Sequence, residues 1–541
     1  MPKRLVICLD GTWNSPARES ERDDGDKVFK PSNVLKLARA VKPIDDCTGA
    51  LRFEGQPAAG DRVTIDTRSY VFRTAGDLAA DEVMIGETPK ESLKNLRFAI
   101  NARRQRKPRY GAATRRHETV GARPVAGDRS LLEIFSRAPG GGAYPFVVET
   151  TFDAGTWCSR HEIARRASAL GLDPTLGIPQ IVYYDIGVGA LRKFKGTWNK
   201  FHRFVDKNLG GARGAGFEGN VEDAYGFLCL NYCQGDEIYL FGFSRGAASA
   251  RSLSHFIDWM GGVLPARDAY WTPRYFDAFL AGESFDGARS KIHDELLDQA
   301  KRGGAAPDKA AKKAAERLGT VLPATIRFLG VWDTVLALGG DRDPRHLKPR
   351  PAGCVERACQ ALAVDEARSD FEPRIWDGPA HDRQRLEQCW FAGVHTSIGG
   401  GYVHDGLANT PLRWILEAAR SLGLGLDDDF LEAYPAYALD QLYPSYKVRY
   451  RIWDWVRGRN GVRKIRVSAD AGLTLHPSVM ERLTAEPDGE THPRFELYRP
   501  KNLLRFLARQ GDLEAFLATI PGLAADLELS DEVRRAIARA R

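Results

Sequence analysis

The sequence predicts an α/β fold, in which helices cover both faces of a mostly parallel sheet. Five short and continuous apolar runs suggest the strands: Leu5–Leu9, Gln180–Tyr184, Glu237–Phe241, Ile326–Val331 and Cys389–Val394. Runs of this length indicate strands that are buried on both faces of a parallel sheet. Each run also stops at, or just before, a polar residue suited to chemistry. Because open α/β sheets place their sites beyond the carboxyl ends of the strands, we expect these polar residues to share one edge.

The polar residues that follow the runs include a serine, an acid and a histidine in that chain order: Ser244, Asp333 and His395. This is the order of the catalytic triad in the α/β-hydrolase fold. Ser244 lies in the GFSRG motif of residues 242–246, between an apolar run and the small-residue stretch Ala247–Ala250. A nucleophile elbow needs glycines at these positions, because they let the strand and the following helix approach closely. We therefore predict Ser244 as a nucleophile.

The histidine and the acid have distinct predicted roles. His395 ends an apolar run and is followed by Gly399–Gly401, so that it can accept the proton of a serine hydroxyl. Asp333 is the residue predicted to orient the imidazole. Asp10 and Asp185 also follow apolar runs, and they remain alternative acids.

The oxyanion hole is predicted from two backbone segments. One donor is the N–H group of Arg245, which follows the nucleophile. The second donor is placed after the first apolar run, at Gly11 or Thr12, and Trp13 is a candidate wall of the substrate pocket. The alternative is that the residues after the first run only cap a turn.

Six blocks of sequence carry a family resemblance: Leu5–Asn14, Asn33–Ala40, Tyr183–Gly189, Gly242–Ala247, Trp332–Val335 and Gly393–Tyr402. Together they resemble the uncharacterised α/β-hydrolase family that includes type VI secretion phospholipase effectors. The resemblance extends to His476–Val479 and Tyr498–Leu503 and covers most of the chain outside residues 48–176. It implies an α/β-hydrolase catalytic core in residues 1–47 and 177–425. The helical spacing of apolar residues towards the C-terminus predicts a mainly helical region in residues 426–541, which is a candidate membrane-facing part.

The resemblance also implies a function. The characterised members of the resembled family hydrolyse the acyl esters of glycerophospholipids with a Ser-Asp-His triad. The resemblance maps this triad onto Ser244, Asp333 and His395. It implies the phospholipid membrane as substrate surface, and a cognate immunity protein as a possible partner. One departure is that the family has Ser-Asp after the histidine, where this chain has Thr396-Ser397. Two alternatives remain open: an esterase or acyltransferase for a non-lipid ester, and a non-catalytic interaction protein.

Composition agrees with a soluble enzyme, for which we expect no metal or cofactor. The chain has 541 residues, of which 43% are hydrophobic, so that it can bury a large core. No apolar stretch reaches the ~18 residues that span a bilayer, and the first run begins too early to leave room for a signal peptide. We therefore expect synthesis in the cytoplasm and, if the protein is exported, a route that needs no such signal. The eight cysteines show no zinc-site spacing.

Residues 48–176 interrupt the family pattern and are predicted to form an inserted α+β domain, because ~130 residues far exceed an ordinary loop. Alternation over Asp61–Phe72 predicts a β-hairpin, and Thr88, Pro89 and Glu91 predict the start of a helix. Val63–Asn101 resembles a small module of phage tail and virion proteins, which implies docking to the spike or tail of a secretion apparatus. A lid, or a decoration without a partner, is the alternative.

Three further segments have predicted surface roles. The basic stretch Ala102–His117 is nearly free of aromatic residues, so no nucleic-acid partner is expected. Residues 303–318 are predicted as an exposed helix and a candidate lid. Aromatic and basic residues alternate in Tyr446–Arg466, which suits a membrane surface or, equally, a strand with one packed face. The candidates for membrane contact are Tyr446, Arg449, Tyr450, Arg451, Trp453 and Trp455.

Overall fold

The computed structural model describes most of the chain. The described residues are 3–11, 19–21, 27–43, 48–74, 76–103, 107–125, 128–136, 146, 148–159, 178–186, 215–318, 320–336, 347–444, 461–488, 490–524 and 527–540. Within these residues, none of the helices has the length and apolar character that crossing a membrane requires.

The strands in chain order are β1 (Arg4–Leu9), β2 (Glu19–Glu21), β3 (Lys27–Phe29), β4 (Thr48–Phe53), β5 (Arg62–Ile65), β6 (Arg68–Arg73), β7 (Glu82–Met84), β8 (Val120–Val125), β9 (Asp128–Ser136), β10 (Val148–Thr150), β11 (Gly155–Ser159), β12 (Gln180–Asp185), β13 (Glu237–Phe243), β14 (Ile326–Trp332), β15 (Arg357–Ala363), β16 (Arg385–Phe391) and β17 (Leu473–Leu475). The helices are α1 (Asn33–Ala40), α2 (Pro89–Asn101), α3 (Ala215–Asn231), α4 (Arg245–Met260), α5 (Thr272–Ala281), α6 (Phe285–Arg302), α7 (Pro307–Arg317), α8 (His395–Gly399), α9 (Gly406–Arg420), α10 (Asp428–Glu432), α11 (Pro477–Thr484), α12 (Lys501–Ala508), α13 (Leu513–Ala518) and α14 (Asp531–Arg539).

These elements form two compact units. The first unit comprises Val41–Gln180 and Gly423–Asp427, and the second comprises Pro2–Ala40, Ile181–Leu422 and Asp428–Arg541.

A seven-stranded sheet organises the second unit. Its strand order is β12-β1-β13-β14-β15-β16-β17, and every pairing from β1 to β17 is parallel. Strand residues are buried on both sides, as the continuous apolar runs predict. The predicted α/β class with a mostly parallel sheet is therefore confirmed.

Helices cover both faces of this sheet. Leu5, Ile7 and Leu9 of β1 pack in one core cluster with Tyr225 of α3 and Leu253 of α4. Helix α1 contacts β1 and β13, while α9 contacts β14 and β15. Because neighbouring side chains of a strand point to opposite faces, the buried Val6 and Cys8 lie on the face away from that cluster.

The structure extends and corrects the predicted strands. Strands β15 and β17 were not expected, since neither has a long apolar run. The predicted run Cys389–Val394 begins four residues late and ends three residues late, because β16 spans Arg385–Phe391. Gly393 has a φ of 124°, and this positive angle ends the extended backbone before His395.

The first unit contains two four-stranded sheets, β10-β5-β6-β7 and β11-β4-β9-β8. The predicted hairpin is present, because β5 and β6 pair antiparallel across the turn at Asp66 and Thr67. The predicted helix start is present as well: the Thr88 side chain accepts a hydrogen bond from the Glu91 N–H group at 3.2 Å. Strands from both sheets share one core with the apolar face of α2. The sequence also predicts a helix over Arg160–Leu170, and this segment lies outside the described residues.

The C-terminal region of the second unit adds β17 to the sheet and a set of short helices. Its core contains Trp390 of β16, Leu475 of β17, Val479 of α11 and Leu503 of α12. The helical spacing of apolar residues predicts one helix over Lys501–Ile520, but this segment forms two helices, α12 and α13. Asp512 begins the second, since its carboxylate accepts a hydrogen bond from the Ala515 N–H group at 2.9 Å. In the candidate lid, helix α7 begins at Pro307 and leaves residues 303–306 as a connection after α6.

Candidate active site

The polar residues that follow the strands of the large sheet meet at its carboxyl edge. Ser244 follows β13, and Asp333 follows its neighbour β14. His395 follows β16, two strands farther along the sheet. Asp10 follows β1, and Asp185 is the last residue of β12; both strands lie on the opposite side of β13. The sheet order therefore puts Ser244 between two groups of candidate partners.

Ser244 sits in a strained turn between β13 and α4. Its φ and ψ are 59° and −122°, angles that a residue with a side chain rarely adopts. Its N–H group donates to the Trp332 carbonyl at 3.0 Å, which fixes the turn against β14. A Cβ atom on Gly242 would lie 2.4 Å from the Gly246 carbonyl oxygen, and one on Gly246 would lie 2.2 Å from that of Leu9. Both glycines are required for the close approach that the elbow motif predicts.

His395 contacts the serine directly. Its Nε2 atom lies 2.8 Å from Ser244 Oγ, a hydrogen-bond distance. The imidazole ring is held between two phenylalanines, with ring centroids 4.7 Å from Phe243 and 4.9 Å from Phe371. His395 is 5% exposed, so little water competes for its nitrogens. The ring is thus placed to accept a proton from the Ser244 hydroxyl.

Asp333 completes a hydrogen-bonded chain. Its Oδ2 atom lies 2.6 Å from His395 Nδ1, and its Oδ1 atom accepts from the Ala363 N–H group at 3.1 Å. Asp333 is fully buried with a φ of 44°. Burial by itself would raise the pKa of this carboxyl. The charge of Arg463, with hydrogen bonds from His395 and Arg463, instead holds the pKa well below its ordinary value. These surroundings therefore favour the ionised form of Asp333 beside the imidazole.

The two alternative acids have other partners. Asp10 accepts hydrogen bonds from Ser32 Oγ and, at 2.6 Å, from the Tyr184 hydroxyl. The Asp10 N–H group also donates to the Asp185 carbonyl at 3.2 Å. Burial, together with the nearby charge of Asp223, raises the pKa of Asp185 to about 6. The acid that the structure joins to His395 is Asp333, while Asp10 and Asp185 organise the other side of the elbow.

The structure describes two of the three residues predicted for the oxyanion hole, Arg245 and Gly11. Arg245 is the first residue of α4, so its N–H group lies at a helix N-terminus, where negative charge is stabilised. The Gly11 N–H group donates to the Asp10 carboxylate at 2.6 Å and is engaged there. Thr12 and Trp13 lie outside the described residues, as do the membrane-contact candidates Tyr446, Arg449, Tyr450, Arg451, Trp453 and Trp455.

A carboxylate lies near the histidine, although Thr396-Ser397 follows His395 in the sequence. Glu366, from the loop after β15, accepts from the His395 N–H group at 3.2 Å and from Arg368 Nη2 at 2.8 Å. Burial opposes its ionisation, but the bonds and charge of Arg368 lower the pKa of Glu366 to about 2. Sequence reasoning missed Glu366, because its loop carries no apolar run or motif.

Arg463 was also missed, although it makes two hydrogen bonds to Asp333, at 2.6 Å and 2.9 Å. It lies 68 residues after His395, at the end of a predicted basic surface segment. Nothing in the local pattern separates it from its basic neighbours. Only burial, at 5% exposure, distinguishes it.

A cavity of about 730 Å³ lies beside the residue that precedes His395. Its walls include Val394, Tyr443 and Leu497 as well as the charged Asp365 and Arg482. This mixed lining does not by itself separate a lipid from another ester. Among the residues that the structure describes, no three or more His, Cys, Asp and Glu side chains are grouped as metal ligands would be.

Part of the chain matches the model of one known protein family. Residues 150–418, which include Ser244, Asp333 and His395, match the family model described as the catalytic domain of Tle1-like phospholipase effectors of the type VI secretion system. No curated protein matches the chain.

Two solved structures are similar to this one. The first is an uncharacterized protein from Pseudomonas aeruginosa, with 12% sequence identity and a TM-score of 0.30; the match covers 100% of this chain but 62% of that protein. The second is a Tle1 effector bound to the VgrG spike of the type 6 secretion system, with 15% identity and a TM-score of 0.27. That match covers 56% of this chain and 69% of the other.

Proposed function

We propose that the protein is a serine hydrolase that cleaves the acyl esters of glycerophospholipids. The observation that carries the proposal is the hydrogen-bonded chain from Ser244 Oγ through His395 to Asp333, with distances of 2.8 Å and 2.6 Å. The strained elbow at Ser244 supports a nucleophilic role for the serine. The choice of phospholipid rests on the family model that matches residues 150–418.

In the proposed reaction, Ser244 Oγ attacks the ester carbonyl while His395 Nε2 takes the hydroxyl proton. Asp333 orients the imidazole through Nδ1 and stabilises its charged form. The Arg245 N–H group donates to the oxyanion of the tetrahedral intermediate. His395 then gives its proton to the departing lysophospholipid oxygen, which leaves an acyl group on Ser244. Water, activated by the same imidazole, releases the fatty acid.

We also propose that the protein acts as an effector that a type VI secretion system delivers to target cells. The family match supports this assignment. The first unit, whose segment Val41–Gln180 includes residues 48–176, is the proposed docking module for the spike or tail of the apparatus. A cognate immunity protein would then protect the producing cell.

The test of the hydrolase proposal is fatty acid release from mixed phospholipid vesicles by the purified protein and by its Ser244→Ala variant. We expect the variant to lose activity by about 10⁴-fold or more, because no other group replaces the nucleophile. A soluble short-chain ester is assayed in parallel. Turnover of that ester alone would favour an esterase for non-lipid substrates. The absence of any Ser244-dependent turnover would favour a non-catalytic docking protein.

A further inference from the structure

The side chain of Arg463 joins three parts of the candidate active site. Its Nη1 atom donates to Asp333 Oδ1 at 2.6 Å and to the Ala363 carbonyl at 2.9 Å. Its Nη2 atom donates to Asp333 Oδ2 at 2.9 Å and to the Phe371 carbonyl at 2.7 Å. The two bonds to Asp333 form the paired geometry in which a guanidinium binds a carboxylate most specifically.

These bonds determine the orientation of the acid. Asp333 Oδ2 is shared between His395 Nδ1 and Arg463 Nη2, and Oδ1 is shared between Arg463 and the Ala363 N–H group. With four donors around its two oxygens, the carboxylate cannot turn without breaking several buried hydrogen bonds. The bond to Phe371 also holds the residue whose ring packs on His395.

The positive charge of Arg463 balances the negative charge of Asp333 at a buried site, where water cannot solvate the carboxylate. The side chains are 2% and 0% exposed, and an unpaired carboxylate at such a site would take up a proton. The charged groups that face the pair are few among the described residues. His395 touches Asp333, while Glu366 contacts the His395 backbone and is itself paired with Arg368.

The backbone around Arg463 is fixed as well. Its carbonyl accepts from the amide of Asn502 on α12 at 3.2 Å, and the same amide donates to the Val364 carbonyl at 2.8 Å. A Cβ atom on Gly461 would lie 2.2 Å from the Ala367 carbonyl oxygen, so this segment packs tightly on the loop after β15. Arg463 is therefore held in place by the C-terminal region and not by its side chain alone.

We infer that Arg463 is a positioning residue that holds the Asp333 carboxylate in its hydrogen bond with His395 Nδ1 and balances its charge. This inference rests on the proposed hydrolase function. In the absence of the guanidinium, the coupled Asp333–His395 pair would bind a proton more readily, whichever partner held it. A pair that has taken up a proton no longer supplies the base that Ser244 needs.

The experiment compares Arg463→Met with Arg463→Lys across the pH profile of vesicle hydrolysis. Arg463→Met removes the charge, and we expect kcat to fall by about 10²-fold with little change in KM, since the loss concerns positioning. We also expect the acidic limb of the kcat/KM profile to move to higher pH by about one unit or more. Arg463→Lys keeps the charge, so its profile should match that of the wild type while kcat falls less.

Arg251→Met is the matched control. Arg251 is 2% exposed on α4, and its guanidinium donates to the carbonyls of Arg374 and Lys348, which are backbone groups without charge. We expect this variant to lose stability and keep the wild-type pH profile. A shift in the Arg251→Met profile equal to that of Arg463→Met would overturn the inference, because it would show a general effect of removing a buried arginine.

Two other results would overturn it: a folded Arg463→Met variant with the wild-type profile, or an Arg463→Lys variant displaced as far as Arg463→Met. If Arg463→Met does not fold, Arg463→Lys decides the question, since wild-type kcat in that variant would contradict the need for two bonds to Asp333.

A second experiment measures, by NMR, the far-downfield proton resonance of the Asp333–His395 hydrogen bond in wild type, Arg463→Lys and Ser244→Ala. The resonance persisting in Ser244→Ala and weakening in Arg463→Lys would support the positioning role even if no substrate were turned over. A resonance unchanged in Arg463→Lys would count against it.

Discussion

At the scale of single residues, the candidate site depends on buried charges that are paired within the protein. Asp333 and Glu366 are both almost fully buried, yet each has its pKa lowered because a guanidinium and several N–H groups surround it. Asp333 faces the imidazole side chain, and Glu366 faces the His395 backbone. The histidine is thus held from two directions by carboxylates that come from different loops.

Glu366 leads to a prediction about stability and pH. The pKa of Glu366 is about 2 in the folded protein and near 4.3 in an unfolded chain. Its carboxylate therefore contributes fully to the free energy of unfolding above pH 4.3, and this contribution is lost as pH falls towards 2. We expect Glu366→Gln to reduce the free energy of unfolding at pH 7 by roughly 3 kcal/mol. The difference from wild type should shrink between pH 5 and about 3.

Urea unfolding at several pH values measures this difference. Glu481→Gln, at an exposed position on α11, is the control and should leave stability nearly unchanged at every pH. A deficit in Glu366→Gln that stays constant from pH 7 to 3 would argue that packing, and not the charge of Glu366, holds this loop.

At the scale of elements, the turn between β13 and α4 is set by contact with the end of β1. Gly246 lies against the carbonyl groups of Leu9 and Asp10, so the first turn of α4 packs directly on the strand. This contact explains why a glycine is needed two residues after the serine. It also places Asp10 behind the elbow, where its carboxylate organises the following turn through Gly11.

Gly246→Ala tests this contact. The added Cβ atom would lie 2.2 Å from the Leu9 carbonyl oxygen, which belongs to the backbone and cannot move aside cheaply. We expect a loss of stability of about 1–3 kcal/mol and a loss of vesicle hydrolysis of about 10²-fold, because the elbow must shift. Thermal unfolding and fatty acid release measure the two effects.

Gly226→Ala is the matched control for this glycine. Gly226 lies inside α3, where an added Cβ would meet nothing within 4 Å. Alanine is the better helix former, so this variant should gain up to about 1 kcal/mol and keep its activity. If Gly246→Ala were as stable and as active as Gly226→Ala, the close approach of α4 to β1 would not be required.

At the scale of the whole molecule, the second unit is assembled from segments that are distant in the chain. Its sheet takes β1 from the N-terminal end and β17 from the C-terminal region, and the site takes Arg463 from that same region. The core beneath β16 and β17 includes Leu475, Leu503 and Val533. The residues after β16 therefore contribute both to the stability of the sheet and to the site.

A chain truncated after Leu422 tests this dependence. It keeps Ser244, Asp333 and His395 but loses β17, Arg463 and the helices that cover Trp390. We expect it to be insoluble or inactive, since a large apolar surface and a buried carboxylate would lose their partners. Solubility and vesicle hydrolysis are the measurements. A soluble truncated chain with wild-type activity would show that the C-terminal region is dispensable.

The sequence by itself determined the α/β class, the strands that end at polar residues and the glycines of the elbow. These features are local: a strand buried on both faces needs a continuous apolar run, and the turn at Ser244 needs glycine on either side. The order of Ser244, Asp333 and His395 could be read in the same way, whereas the catalytic roles of these residues remain predictions.

The tertiary structure decided which of three acids meets the histidine. Strands β1 and β14 both flank β13. Asp10 and Asp333 therefore each follow a strand that lies next to the strand of Ser244. His395 follows β16, on the β14 side of the sheet, and only Asp333 lies on that side. Glu366 and Arg463 were beyond the reach of the sequence for the same reason. Their importance comes from burial against residues that are close in space but far apart in the chain.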